Sequence, residues 1–394
     1  MSQQLISRSA DLKRLRDDGY GVQVKGNYLL IHPVPYVNAN RQVQFGTLVS
    51  ELSMAGDMTT TPGTHVAFFS GDHPCHQDGT EIAQIRHQSQ VQTLADGVVV
   101  QHSFSSKPKE GGYPNYYEKM TTYAAILSSP AQAIDPSVTA KTFPPIEASE
   151  EESVFCYFDT SSSRAGINLV TSKLELSRLA IVGLGGTGSY VLDLVAKTPV
   201  KQIHIFDGDV YSNHNAFRSP GAPTLAELRD NPRKVNYFQQ QYSKMHRHIV
   251  PHDVYLDASN VDLLREMDFV FLCLDRNQPK RDIVQRLEEW GKSFIDVGMG
   301  IELVDTSLIG ILRTTTSTPE KRDHVWDRQR IPFSVGTVDD QYSKNIQIAD
   351  LNALNAAMAV IKWKKLCGFY LDFEHEHFST YTIDGNRLTN AEQP

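Results

Sequence analysis

Residues 179–189, LAIVGLGGTGS, constrain the fold of this chain more than any other stretch. Four residues of buried-strand character run directly into Gly183, Gly185, Gly186 and Gly188, and residues 189–196 carry helical patterning. A strand, a glycine turn and a helix N-terminus in that order aim unpaired backbone N–H groups at one point, with the positive end of the helix dipole behind them. That is an anion site, and a parallel β-α-β unit is the scaffold that supplies it. Alone, the G-x-G-x-x-G spacing is met by nicotinamide and flavin binders, and also by turns that hold no ligand.

The rest of the second half repeats the pattern. Residues 179–182, 203–206, 269–274 and 294–297 are short and nearly all apolar, as strands buried on both faces should be. Stretches 189–196, 233–245 and 280–290 between them read as helices, 307–313 as a further strand, and 346–367 as a long helix rich in Ala and Asn. This alternation predicts a Rossmann-like, doubly wound α/β domain with a mostly parallel sheet. The first half differs. Short β-type runs at 22–24, 28–31, 65–69 and 97–100, a loop at 71–79 and one helix at 116–127 predict a separate β-rich α+β domain. Residues 128–153 hold four prolines and an acid–serine cluster and read as linker-like. The expected division is an accessory domain at 1–140, a linker at 141–161 and the catalytic domain at 162–394.

Composition removes several classes. Of 394 residues, 38 are Lys or Arg and 46 Asp or Glu, a formal net charge of −8 with no long basic run, which argues against general nucleic-acid binding. Apolar residues at 40% and charged residues at 21% are an ordinary folded balance. No apolar run approaches the ~20 residues of a membrane-spanning helix, and the first residues show no apolar signal core. The four cysteines, Cys75, Cys156, Cys273 and Cys367, are far apart, which argues against a disulfide framework or a Cys-rich zinc site. The expectation is a cytoplasmic protein with neither a membrane nor a nucleic acid as partner.

The residues after the glycine loop narrow the ligand. Asp207 closes the second strand, about 20 residues on, where an acidic side chain meets a ribose hydroxyl. Asp209, Asn215 and Arg218 come next in DGDVYSNHNAFR, and Lys234 opens the next helix, with Arg233 as its rival for the same role. A dinucleotide has no standing need for an Arg and a Lys here, whereas a triphosphate does. Asp275 closes the strand FVFLCLD at the carboxyl edge of the sheet, where a carboxylate can hold Mg²⁺.

This ordered set resembles the ThiF-type adenylyltransferases, a family that includes the ubiquitin-activating enzymes. The resemblance spans roughly residues 162–387, and also covers Arg164 in the leading segment and the small-residue helix IQIADLNALNAAMAVIKWKK at 346–365. It implies that ATP and Mg²⁺ bind, and that the C-terminal carboxylate of a ubiquitin-like or sulfur-carrier protein ending in glycine attacks the α-phosphate. It gives the ribose to Asp207, the triphosphate to Asn215, Arg218 and Lys234, and Mg²⁺ to Asp275. It further implies a homodimer in which Arg164 reaches a partner copy's triphosphate, and a ubiquitin-conjugating-like protein as onward partner.

The chain departs from the family in its acyl-capturing cysteine. Segment 313–344 has none, and the paired C-x-x-C motif of some relatives is missing too. Three readings stand. The reaction stops at the adenylate; a distant cysteine such as Cys75 takes the acyl group; or a hydroxyl in the run 314–318, with Thr316 as the chosen acceptor and His324 as base, takes it as an oxyester. Cys273 and Cys367 read as packing residues. His73, Cys75, His76 and Asp78 read as a turn rather than a metal site, and His375 and His377 as exposed strand histidines. The additional N-terminal domain favours a protein-conjugation pathway over sulfur-carrier activation for cofactor biosynthesis. A nucleotide-dependent oxidoreductase and an inactive scaffold are the readings from other classes.

Overall fold

The computed structural model describes residues 2–393 apart from 57, 109–110, 149, 151–152, 275–276 and 334–345. The chain divides into two compact units, Met1–Ala148 with Phe158–Gly166, and Ser149–Tyr157 with Ile167–Pro394.

The second unit is built on one eight-stranded sheet. Its strands are β1 (Arg178–Val182), β2 (Gln202–Phe206), β3 (Ile249–His252), β4 (Phe269–Leu272), β5 (Ser293–Val304), β6 (Ser307–Ser317), β7 (Phe378–Thr382) and β8 (Arg387–Ala391). Their order across the sheet is β3-β2-β1-β4-β5-β6-β7-β8. The first five pair in parallel, and β5 to β8 pair antiparallel. The parallel strands are apolar on both sides because helices cover both faces; every residue of β4 is buried. The helices that place the site are α1 (Gly186–Val195), α2 (Lys234–Tyr242), α3 (Asn277–Glu289) and α4 (Ala349–Leu366). One face buries Leu179, Ile181, Val191, Phe238 and Trp363; the other buries Val182, Phe206, Val270, Ile283 and Leu287. The doubly wound expectation holds. The connection from β1 goes to β2 on one side, while β4 lies on its other side. The direction of winding therefore reverses between β1 and β4, which opens a crevice at the carboxyl ends of these strands.

Two expected boundaries move. β5 and β6 form a hairpin much longer than the runs 294–297 and 307–313, because cross-strand pairing from Phe294–Ser317 to Val304–Ser307 carries both strands past their apolar portions. The long helix starts at Ala349 rather than at 346.

The first unit is a six-stranded antiparallel sheet. Across the sheet its strands run Val22–Lys25, Tyr28–Val37, Val43–Glu51, Val66–Ser70, Val98–Ser105 and Arg86–Ala95. Strand Arg86–Ala95 escapes sequence reading because it is an exposed edge with almost no apolar pattern. Helix Tyr116–Ile134 continues through Pro130 into the stretch that reads as linker-like. Its Asn115 cap accepts the Glu118 N–H at 2.9 Å. In the 71–79 loop, Cys75 is bridged to Val37 and Glu81, and no group of three metal-ligating side chains occurs among the described residues. No described helix is long and apolar enough to cross a membrane.

Lys119 fastens this helix to its sheet. It is fully buried, and its ammonium donates to Ser50 Oγ at 2.8 Å and to the Thr64 carbonyl at 2.9 Å. Burial lowers its pKa to about 8. Between that value and the ordinary ~10.4 of a free lysine, the unfolded chain holds a proton that the folded chain has released, so stability rises with pH in that window. Urea midpoints compared at pH 8 and pH 10 should show this rise in the native chain and lose it in Lys119→Met. An equal rise in both would refute the assignment.

Candidate functional site

The crevice is lined by the glycine loop, by the segments after β2 and β4, and by β5 itself. Gly183 leaves β1 at φ +91°, a conformation that disfavours any side chain, and donates its N–H to the Phe206 carbonyl at 2.8 Å. A Cβ on Gly188 would stand 1.9 Å from the Gly183 carbonyl, and one on Gly186 would stand 2.0 Å from the Asn352 side chain of α4. The glycines therefore allow α1 to start against the turn and α4 to close over it. Asn352 accepts from Thr187 Oγ1 at 3.0 Å and donates to the Arg218 carbonyl at 3.1 Å, which ties α4 to both sides of the loop. Gly183, Gly185, Gly186 and Thr187 line the cleft, and the opening turn of α1 has no intrahelical acceptors for its N–H groups.

Asp207 holds the loop in place. Its Oδ2 accepts the Leu184 N–H at 2.7 Å and its Oδ1 accepts the Asp209 N–H at 2.8 Å. Lys234 opens α2, only 5% exposed, and pairs with Asp209 at 2.7 Å and with Asp207 at 3.6 Å. Tyr255 also donates to Asp209. The choice between Lys234 and Arg233 resolves by direction. Lys234 lines the cleft, while Arg233 points to the Gly208 carbonyl and Asp253. Arg218 also lines the cleft, and its buried Nε has no hydrogen-bond partner among the described residues. Asn215 is used locally. Its side-chain oxygen accepts the Ser212 N–H at 2.8 Å in a capping box, and it is not among the cleft-lining residues.

The cleft, of about 1340 Å³, has a second wall that sequence reading missed. Lys280 in the first turn of α3 pairs with Asp296 of β5 at 2.9 Å, and Asp296 pairs with Arg313 of β6 at 2.7 Å. Asp296 is fully buried. Asn355 of α4 donates to the Gly298 carbonyl at 3.0 Å, and its buried Oδ1 has no partner among the described residues. A signal for Asp296 existed, since it is the one charge in the apolar strand SFIDVG. Its two cations come from a helix and from the neighbouring strand, and only folding unites them.

Other expected residues fall elsewhere. Asp275 lies outside the described residues. Arg164 belongs to the first unit, in helix Thr160–Ala165, with its guanidinium over the Phe143 ring at 4.8 Å. Thr316, the expected acyl acceptor, stands away from the cleft. It is 1% exposed inside β6, between β5 and β7, and does not line the cleft. The threonine run continues a central strand and does not form a loop. His324 donates from Nε2 to the Thr316 backbone carbonyl at 3.0 Å, and burial lowers its pKa. Cys273 lines the cleft, but burial raises its pKa, reinforced by Asp296 and opposed by Lys280, so the thiol stays protonated. Burial also pushes the Cys367 thiol up to about 11 and raises that of Cys75, which is itself buried. His377 is buried rather than exposed, packed beside His324.

Comparison with known proteins gives two adjacent matches: residues 163–316 to the ThiF family, and residues 10–160 to a family described as a domain of unknown function, DUF6791. The adenylyltransferase and sulfurtransferase UBA4 of Saccharomyces cerevisiae is 30% identical over 145 residues, which are 35% of this chain and 29% of that protein. The chain thus spans less than a third of that relative's length. Among solved structures, Escherichia coli MccB with ATP aligns at a TM-score of 0.46 and 16% identity, covering 59% of this chain and 69% of that one. Escherichia coli TcdA with AMP aligns at a TM-score of 0.39 and 17% identity, covering 53% and 93%.

The anchoring role of Asp207 is separable from any contact with a ligand. Asp207→Asn places one amide where two backbone donors already point, so a donor faces a donor. The expected cost is ~1–3 kcal/mol of stability with no ligand present. Thermal unfolding of the ligand-free variant measures it, and an unchanged midpoint would remove Asp207 from the loop's support.

Proposed function

We propose, starting from the ThiF-family character of residues 163–316, that the second unit activates a carboxylate with ATP. The substrate is the C-terminal carboxylate of a ubiquitin-like protein, and the product is an acyl-adenylate. The observation that carries this reading is the pairing of Lys234 and Arg218 on the cleft into which the glycine loop opens. A hydride-transferring cofactor has no use for two cations at that place, and a triphosphate needs them. The retained cations also weigh against an inactive scaffold.

The chemistry asks little of the protein beyond position and charge. A carboxylate oxygen attacks the α-phosphorus, forming a carbon–oxygen–phosphorus link. The bond from the α-phosphorus to the bridging oxygen breaks, and its electron pair leaves with pyrophosphate. Charge builds on the departing oxygens. Lys234 has further N–H donors beyond the one given to Asp209, and Arg218 Nε has no partner among the described residues, so both meet phosphate without breaking the fold. Free N–H groups of the loop cradle the phosphates. Asp207, its two oxygens already accepting, keeps enough lone pairs for a ribose hydroxyl. Mg²⁺, when it accompanies the nucleotide, neutralises phosphate charge. Asp275 is the residue assigned to it by resemblance, and the carboxylates of Asp209 and Asp257 on the cleft suit a cation that otherwise binds phosphates and water.

We infer that the acyl group stays on the nucleotide until an outside acceptor takes it. The buried Thr316, the protonated Cys273 and the buried Cys75 favour release over capture on this chain. A conjugating enzyme is the acceptor in this reading, and the first unit is where it is recruited. Homodimerisation, with Arg164 serving the partner copy, belongs to the same reading. The yeast relative, named a sulfurtransferase as well as an adenylyltransferase, favours a second one, in which the carrier's activated end receives sulfur.

ATP–pyrophosphate exchange tests the proposal. Exchange should require a ubiquitin-like carrier ending in glycine. It should fall roughly 10²-fold or more in Lys234→Ala and in Arg218→Ala, the scale of losing one preorganised donor to a developing oxyanion. Exchange without a carrier, or full exchange in both variants, would refute it.

A further inference from the structure

The ion cluster on the far wall of the cleft is unbalanced. Asp296 carries one negative charge and is fully buried, and two cations bracket it, Lys280 on Oδ1 and Arg313 on Oδ2. Counted formally over the described residues, the cluster therefore carries one net positive charge. Arg313 alone neutralises Asp296, and it is committed further to Thr315 Oγ1 at 2.6 Å and to the Arg330 carbonyl at 2.7 Å. Lys280 is different. Its ammonium has three donors, Asp296 is its one partner among the described residues, and it is 4% exposed in the cleft wall. Even that contact is an ion pair by distance only, since Oδ1 of Asp296 receives no aligned hydrogen bond. Desolvating a second cation for a carboxylate that is already paired costs stability, so packing does not explain its presence.

Position adds to this. Lys234 and Arg218 lie on the chain after β2, whereas Lys280 comes after β4 and Asp296 lies in β5. With the order β2-β1-β4-β5, the two cationic centres stand on either side of the glycine loop, two to three strand spacings of ~4.8 Å apart. A cleft with separate cationic centres suits two anions that must meet at its middle. The second wall also offers an unused acceptor, the buried Oδ1 of Asn355, linked to Lys280 through Gly298, Arg313 and Asp296. An anion accompanied by an N–H donor is the chemistry of a peptide C-terminus, with its carboxylate and last amide.

We propose that Lys280, charged beyond what Asp296 requires, binds the C-terminal carboxylate of the incoming peptide, with Asn355 Oδ1 accepting its last backbone N–H. This rests on the adenylation reading for its consequence, because it sets the attacking oxygen, while the triphosphate stays with Lys234 and Arg218.

The test is a binding measurement on the full chain. The probes are a synthetic peptide ending in Gly-Gly with a free carboxylate and the same peptide as its C-terminal amide. Each competes against a fluorescent copy of the acid in the presence of α,β-methylene ATP, whose bridging carbon prevents pyrophosphate release. The native chain should prefer acid over amide roughly tenfold or more, the scale of one charge-assisted hydrogen bond. Lys280→Met should lose that preference with the nucleotide analogue's own affinity unchanged, and Lys280→Arg should keep most of it. An acid preference that survives in Lys280→Met overturns the proposal. So does a native chain that treats acid and amide alike. Loss of analogue affinity in Lys280→Met by the same factor also overturns it, and makes Lys280 a triphosphate residue. The outcomes separate from those of pyrophosphate exchange. A Lys280-dependent preference without exchange keeps this site and sinks adenylation; exchange unaffected by Lys280→Met does the reverse.

Discussion

One buried carboxylate organises the site. Asp207 accepts a backbone N–H from the glycine loop after β1 and another from the segment after β2, with Lys234 3.6 Å away. Two strand ends, each free to splay, are thus closed onto one side chain. Because both bonds come from backbone N–H groups to an ionised acceptor in a mostly buried setting, they are stronger than neutral ones. The glycines then matter for what they omit. The Gly188 and Gly186 positions let α1 begin where a side chain would strike Gly183 or Asn352. With the loop fixed at one end and covered by α4 at the other, Gly185, Gly186 and Thr187 are held in the cleft wall.

The strand order gives this arrangement its use. A sheet wound outward in both directions from β1 and β4 places the segment after β2 on one side of the loop and the segment after β4, with β5, on the other. Each side carries its own cations. On the proposed reading that separation answers the central difficulty of carboxylate activation, namely that the nucleophile and its phosphate target are both anionic and repel each other. Two cationic walls offset that repulsion, and the loop between them receives the charge that develops.

On the proposed reading, burial decides the fate of the activated acyl group. Threonines 314–316 and the cysteine of β4's end have the right functional groups, yet sheet pairing and low dielectric disable them. A hydroxyl in a central strand cannot reach a cleft it does not line, and a thiol beside a buried carboxylate does not ionise. The first unit has its own core of Leu29, Phe69, Tyr116 and Tyr123, and on the proposed reading it recruits the onward partner.

Local pattern was enough to find the doubly wound sheet, the glycine loop, and Asp207, Arg218 and Lys234 near it. Each of those signals sits within a few residues: a run of apolar side chains, a glycine spacing, a cation at the start of a helix. The exposed edge strand Arg86–Ala95 and the full length of the β5–β6 hairpin were not legible, because cross-strand hydrogen bonds rather than apolar pattern define them. Folding, and nothing in the linear order, put Thr316 in the interior and joined Lys280, Asp296 and Arg313 in one cluster. The last three are 16 and 17 residues apart along the chain and belong to a helix and two strands. No spacing rule links them. Their union results from parallel pairing of β5 beside β4 and antiparallel pairing of β6 beside β5, which sets Arg313 across from Gly298 and within reach of Asp296. Net charge at a buried place is a property of such a union, and it becomes visible only when the strands are laid side by side.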